Sequence, residues 1–171
     1  MSSRSPDPEH VALMRRAIDL ARLSTADTST RYRVGAVIAS SETGDVLSTG
    51  YTGQLPGNTH AEECALALFA GSPTVSGNLD LYTSMQPCTL RNSGLKTCTE
   101  RIVESGIIGR IFVGVGEPKD FVENSGYGAL ERARIEIVIV EAPGLADEAL
   151  NVARGREDPS TVLHSLEVMA S

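Results

Sequence analysis

Residues 79–115 read LDLYTSMQPCTLRNSGLKTCTERIVESGIIGRIFVGV, and the architecture follows from this stretch. Leu79 to Met85 is a short apolar run of the kind that forms a buried strand. Pro87 stops it, because proline has no N–H to offer a ladder. A helix follows from about Cys98 to Ser105, with Gly106 placed as the residue that ends it in the left-handed region. Arg110 to Val115 is then a second strand. A strand, a helix and a strand at this spacing favour a parallel, right-handed crossover.

The same alternation continues in both directions. Downstream, a helix over roughly Tyr127 to Ala133 precedes a strand over Ile135 to Val140. Upstream, Asp7-Pro8-Glu9 presents an N-cap, a first-turn proline and an early carboxylate, as helix starts prefer. Val11, Met14, Ile18 and Ala21 then fall on one stripe of a helix that ends near Leu23. The polar run Thr25 to Arg33 leads to a β-branched strand, Val34 to Ala39, whose hairpin through Ser40 to Asp45 returns as Val46 to Tyr51. Thr52 to Asn58 is a loop, and a helix is expected over Thr59 to Ala70. Strands alternating with short helices make an α/β layered domain. After Glu141, one helix from Leu145 to Arg154 and a weaker stripe at Val162, Leu166 and Met169 remain.

The chain has 171 residues, one domain on a prior of about 150 residues per domain. At that length it buries roughly 70% of its unfolded surface, so the core needs no staples. Lys plus Arg number 15 against 22 Asp plus Glu, a net charge of −7. That field repels polyphosphates and argues against nucleic acid or an acidic membrane surface as a partner. Three cysteines, Cys64, Cys88 and Cys98, are too few and odd in number for a disulfide scaffold. Residues 1–9 lack the apolar core of a signal peptide, and no apolar run approaches the ~20 residues of a membrane span. The expectation is a soluble, cytoplasmic protein.

Two clusters carry chemistry: Asn58-Thr59-His60-Ala61-Glu62 at a helix start, and Met85-Gln86-Pro87-Cys88 with Cys98 downstream. One imidazole and two thiolates suit Zn²⁺, which in catalytic sites takes three protein ligands and leaves a fourth position to water. His60, Cys88 and Cys98 supply that set. Glu62, two residues past the histidine, can lie beside such a water and move its proton. A helix N-terminus near Cys88 and Cys98 favours thiolate over thiol. Each element also has a plainer reading. Thr59 and Glu62 have the spacing of a capping box, in which both serve only the backbone, and a free cysteine is commonly a small buried hydrophobe. The conjunction of H-x-E with P-C and a second Cys, each at a helix start, favours zinc. Cys64, beside Ala65 and Leu68, reads as core, and His10 and His164 as solvated or packed.

His60-Ala61-Glu62 followed by Pro87-Cys88 and Cys98 resembles the cytidine-deaminase-like superfamily, whose members hydrolyse an exocyclic amine with a zinc-activated water. The common signature has two residues between its cysteines, whereas here Thr89 to Thr97 intervene. That longer spacing is similar to the pyrimidine deaminases of riboflavin biosynthesis. The strings Pro87-Cys88-Thr89-Leu90-Arg91-Asn92-Ser93-Gly94 and Cys98-Thr99-Glu100-Arg101-Ile102 look most like their fungal, stand-alone branch. Asn58 to Glu63 and Gly114 to Pro118 agree, and the likeness covers about Val11 to Val140.

The resemblance implies a three-layer α/β/α fold around a mixed five-stranded sheet, with the last two strands parallel. It divides the chain into a flexible N-terminus (1–7), a zinc deaminase domain (8–140) and a C-terminal helical extension packed on that domain (141–171). It implies one Zn²⁺ per chain and a homodimer or higher homo-oligomer. The implied substrate is 2,5-diamino-6-(ribosylamino or ribitylamino)-4(3H)-pyrimidinone 5′-phosphate, which loses its 2-amino group as ammonia while Glu62 relays the proton. With no room for a reductase half, another protein is expected to reduce the ribosyl side chain.

The loop between the cysteines begins and ends at the metal, so its cations Arg91 and Lys96 are candidates for the phosphate, against the alternative of solvated loop charges. Asn58 is a candidate for the pyrimidine ring, and Ser93 and Glu117 are candidates by position alone. Arg31 and Arg33, just before the first strand, are further cations for the phosphate tail if the fold turns them toward it; nothing in the sequence fixes their direction. Two other functions stay open. A deaminase of free nucleosides, nucleotides or bases would share the zinc set, and a structural-zinc module would leave Glu62 as a helix cap.

Overall fold

All seven residues of Leu79–Met85 (β4) are buried, which requires a layer above the strand and a layer below it. The computed structural model, which describes residues 3–70, 79–118, 127–158, 160 and 167, has both. β4 pairs antiparallel with Gly35–Ser40 (β2) and parallel with Ile108–Val115 (β5). The hairpin from β2 closes through Val46–Tyr51 (β3), and Glu136–Val140 (β6) lies parallel to β5. These five strands are the mixed sheet expected from the sequence, with the last two parallel.

Period-2 alternation sorts the core between the layers. Tyr82, Phe112 and Val138 join Met14 and Ile18 of α1 (Pro8–Arg22) and Leu145 of α5 (Leu145–Ala153). Their neighbours Leu81, Ile111 and Ile137 join Ala65 of α2 (Ala61–Leu68), Ile102 of α3 (Cys98–Ser105) and Leu130 of α4 (Gly128–Arg132) on the other face. The result is a three-layer α/β/α domain. Local signals act as expected at two helix ends: Asp7 Oδ1 accepts from the Glu9 amide at 2.8 Å, and Gly106 ends α3 at φ 66°.

One contact sets how closely α1 sits on the sheet. A Cβ added to Gly35 would lie 1.8 Å from the Ala17 carbonyl oxygen, so the helix backbone occupies the space a side chain would need. Gly35→Ala is expected to lower stability by about 3 kcal/mol, the upper part of the usual range for overpacking. Urea unfolding monitored by circular dichroism checks it, and an unchanged midpoint would mean that α1 can shift freely.

Two features differ from expectation. Ser3–Ser5 (β1), inside the segment expected to be a flexible lead-in, pairs parallel with β6 as a sixth strand, giving the order β1-β6-β5-β4-β2-β3. A Ser-Arg-Ser triplet has no apolar alternation to betray a strand; its pairing comes from the open edge that β6 presents. The helix expected over Thr59 to Ala70 is the shorter α2, because His60 is its N-cap.

The extension past Glu141 begins as α5, packed against α1. The Arg22 guanidinium, 4% exposed, bonds to Asp19, Glu148 and Glu157 and so ties the segment after α5 back to α1. The stripe Val162, Leu166 and Met169, and His164, lie outside the described residues. No described helix is long and apolar enough to cross a membrane.

Candidate active site

The site forms where β3, β4 and their following helices meet. His60 caps α2 with an extended backbone, φ −95° and ψ 162°, and its amide donates to Glu63 Oε2 at 3.3 Å. The capping box is therefore His60 with Glu63, one residue later than the Thr59–Glu62 pair the sequence also allows. Thr59 donates its hydroxyl to the Leu55 carbonyl instead. With this one-residue shift the Glu62 carboxyl is not part of the capping box and bonds to Thr83 and to its own backbone amide.

Cys88 follows β4 past Pro87, and Cys98 is the first residue of α3. Thr97 and Glu100 cap that helix reciprocally, at 3.1 Å from the Glu100 amide to Thr97 Oγ1 and 2.7 Å from the Thr97 amide to Glu100 Oε2. The Cys98 amide donates to Cys88 Sγ at 3.2 Å, and the Thr99 amide and hydroxyl both donate to the Cys88 carbonyl. The two ends of the long inter-cysteine loop are thus pinned together at the N-terminus of α3.

His60 Nδ1 lies 3.6 Å from Cys88 Sγ and 3.3 Å from Cys98 Sγ. All three donor atoms are within 4.8 Å of one another. Zn–S and Zn–N bonds in a tetrahedron put neighbouring ligand atoms about 3.5 Å apart, so this set fits zinc in spacing as well as in softness. The thiols act as a pair. The hydrogen bond to Cys98 pulls the Cys88 pKa well down, and His60 adds to this against the opposing effect of burial; the same bond, with burial, raises Cys98. The shifts run in opposite directions, favouring the thiolate at Cys88 over Cys98, and a metal held here would require both sulfurs deprotonated.

Glu62 is 2% exposed. Burial raises its pKa, and the negative charge of Cys88 raises it further, while His60 and Thr83 oppose the shift. The carboxyl is thereby shifted toward a state that can hold a proton. Thr83 Oγ1 sits 2.8 Å from Glu62 Oε1 and 2.8 Å from the Met85 carbonyl. A hydroxyl has one proton and two lone pairs, so Thr83 can donate to an ionised Glu62 or accept from a protonated one while donating to Met85. Thr83 has no motif of its own. Its signal is parity: it shares the Leu79 and Leu81 face of β4, the face that α2 covers.

A cavity of about 550 Å³ opens over His60, Glu62 and Cys88, with Asn58, Arg91, Ser93 and Glu117 on its wall. Lys96 is not on that wall. Its Nζ pairs with Glu104 at 2.6 Å, both exposed, which corrects its placement as a pocket cation. Arg91 reaches the wall but is 8% exposed, and its amino groups are taken by Glu63, the Lys96 carbonyl and the Asn58 carbonyl. It straps the inter-cysteine loop to the start of α2. Arg33 is also engaged, donating from Nε to the Ala26 carbonyl. Arg31 lines the cavity, and its Nη1 donates to Asn58 Oδ1 at 2.8 Å. Cys64 is fully buried, as expected for core. His10 is packed, with Nδ1 2.8 Å from the Tyr82 hydroxyl and its ring 4.2 Å from that of Phe112.

Three comparisons bear on this geometry. The family described as "Cytidine and deoxycytidylate deaminase zinc-binding region" matches residues 7–115. The chain is 36% identical over 146 residues to the diaminohydroxyphosphoribosylamino-pyrimidine deaminase of Schizosaccharomyces pombe, covering 84% of this chain and 35% of that protein. Among solved structures it is similar to the Rib2 deaminase of Aspergillus oryzae, a C-terminal deletion mutant, at 32% identity and TM-score 0.73, covering 95% of this chain and all of that one. The same Aspergillus deaminase in complex with DARIPP superposes at TM-score 0.70 and 29% identity, covering 94% of this chain and 99% of that one. The chain spans about a third of the length of the curated relatives it matches.

Proposed function

The chain belongs to the cytidine and deoxycytidylate deaminase zinc-binding family, and from that premise we propose that it hydrolyses the 2-amino group of a 2,5-diamino-6-(ribosylamino or ribitylamino)pyrimidinone 5′-phosphate. The observation that carries this reading is the cluster of His60, Cys88 and Cys98, of which His60 and Cys88 line one cavity together with a buried Glu62. The similarity to the diaminohydroxyphosphoribosylamino-pyrimidine deaminase of Schizosaccharomyces pombe supports this substrate class. A cavity of about 550 Å³ suits a small phosphorylated heterocycle, since ligand pockets run from roughly 300 to 1,000 Å³.

His60, Cys88 and Cys98 hold the family's zinc. Zinc at this place supplies Lewis acidity, which makes water a nucleophile near neutral pH. Glu62 takes the two protons of the attacking water in turn as its oxygen adds at C2, passing the first to the ring nitrogen and the second to the departing amine. A C–O bond forms, the C–N bond breaks, and ammonia leaves. Thr83 holds Glu62 Oε1 throughout, giving or taking a hydrogen bond as the carboxyl changes state. Among the described residues no fourth His, Cys, Asp or Glu joins the metal cluster. Structural zinc usually takes four protein ligands, so the set supports a catalytic over a structural role.

Self-association into a homodimer or higher is part of the same reading; exposed Leu68 on α2 and Val103 on α3 are apolar surface it would cover. The test of function is ammonia release from the ribosyl and ribityl diaminopyrimidine phosphates by purified protein, with zinc measured on the same sample. Turnover of either supports the reading. Zinc-loaded protein that instead deaminates cytidine, dCMP or a free base would replace it.

A further inference from the structure

Two arginines are among the residues lining the cavity, Arg31 and Arg91; among the described residues they differ in how their donors are used, although the buried Nε of Arg91 also has no partner. Arg91 spends its amino groups on Glu63 and two backbone carbonyls. The Arg31 side chain makes no ion pair with any described carboxylate, and its one hydrogen bond to another described residue is to a neutral amide, Asn58 Oδ1, while its backbone amide donates to the Asp27 carbonyl. A guanidinium carries five N–H donors, so most of Arg31's find no partner among the described residues while its direction is set by Asn58.

The backbone opposite Arg31 is shaped to receive it. Gly53, at φ 78°, lies beneath the guanidinium, and a Cβ there would come within 3.2 Å of Arg31 Nη2. Arg31 is half-buried, between this turn and Asn58, on the loop that leads into β2. Asn58 stands two residues before the metal ligand His60, so one short segment links the held guanidinium to the chemical centre. The cavity wall also carries the carboxylates of Asp27 and Glu117; against them, Arg31 is the cation with charge and donors to give.

We propose that Arg31, steadied by Asn58 and the Gly53 turn, is the seat of the substrate's phosphomonoester. The proposal rests on the deaminase reading for the identity of the substrate and extends it by naming what selects the phosphorylated form. Arg31 is a binding residue and touches no reacting atom. Asn58 is a positioning residue acting through Arg31, in place of the ring contact considered from sequence. Guanidinium geometry matches two phosphate oxygens at once, so the tail docks against Arg31 while the ring lies over Glu62.

The experiment compares wild type with Arg31→Gln and Arg31→Lys on the phosphorylated diaminopyrimidine and on the same compound after phosphatase treatment. In Arg31→Gln the KM for the phosphorylated compound is expected to rise about 10- to 100-fold, the worth of a charged hydrogen-bonded contact, with kcat little changed. The KM for the dephosphorylated compound should not move. Arg31→Lys, keeping a point charge without the fork, should fall between. Calorimetric titration with ribose 5-phosphate against ribose reads the same seat without turnover: wild type should prefer the phosphate, and Arg31→Gln should not. Zinc content and melting temperature certify that each variant is folded. An unchanged KM ratio in Arg31→Gln, or a ribose 5-phosphate preference that survives it and is lost in Arg91→Gln, overturns the proposal. If wild type turns over neither pyrimidine while its ribose 5-phosphate preference still depends on Arg31, the deaminase reading fails and the anion seat stands.

Discussion

Glu62→Gln is expected to lose about 10³-fold in kcat or more, within the range for removing a positioned acid–base group, while retaining one zinc per chain. Gln keeps the shape of Glu and an oxygen that can accept from Thr83 Oγ1, whose hydroxyl is 2.8 Å from Glu62 Oε1. What it lacks is the ability to take and return a proton. Stability should move the other way. Glu62 is buried, and burial disfavours its charged form, so a neutral amide at this position is expected to hold or raise the melting temperature. The combination discriminates between roles. A Glu62 that only capped α2 would give unchanged turnover, and one that only supported the fold would give a lower melting temperature. Initial rates, metal analysis and a thermal melt on the same preparation check all three.

Cys98→Ser is expected to remove zinc. Loss of an outer-shell partner alone costs about 10- to 100-fold in metal affinity. Loss of a direct ligand from a set of three should exceed that, and activity should vanish with the metal. Cys98 also receives and organises: its amide donates to Cys88 Sγ, and its Sγ lies 3.3 Å from His60 Nδ1. Serine preserves the amide and most of the volume, so the change isolates the sulfur. A metal bound to the native state alone stabilises it by roughly 4 kcal/mol at a thousandfold excess over its dissociation constant. A chelator should therefore lower the melting temperature of wild type and leave that of Cys98→Ser where it is. A variant that keeps stoichiometric zinc would remove Cys98 from the ligand set.

The strap formed by Arg91 explains why a long inter-cysteine loop can be tolerated at a metal site. Loop 89–97 is anchored at both ends by Cys88 and Cys98, and Arg91 ties it to Glu63 and to the Asn58 carbonyl at the start of α2. Glu63 also pairs with Arg101 of α3 at 3.0 Å. Each charge in this cluster is largely withdrawn from solvent, and leaving one unpaired there is costly. That makes the cluster a brace for the metal ligands and removes Arg91 from the list of free cations.

How much was legible before any coordinates depended on the range of each interaction. β4, α3 and their junction were readable because a short apolar run, the stop at Pro87 and the helix-ending Gly106 act within a few residues of themselves; the Thr97–Glu100 cap was seen only in the structure. His60, Glu62, Cys88 and Cys98 were readable because ligand chemistry and helix starts leave short, dense signatures. The capping register at α2 was not legible: the sequence pointed to Thr59 with Glu62 as the capping pair, and the structure has His60 with Glu63, one residue later. β1 was not legible at all, because three polar residues carry no periodicity and their partner strand lies more than a hundred positions away in sequence.

By itself, then, the amino-acid order determined the layered α/β architecture, the metal-binding triad and the placing of Glu62 beside it, all of which rest on local periodicity and on the identity of a few donor atoms. Only the tertiary structure decided which cations face the cavity. Arg31, Arg91 and Lys96 are equivalent as isolated charges, and what separates them is whether the fold brings each one a carboxylate, a carbonyl or open space. Pairing of long, flexible charged side chains is settled by neighbours distant in sequence, and no pattern along the chain encodes it.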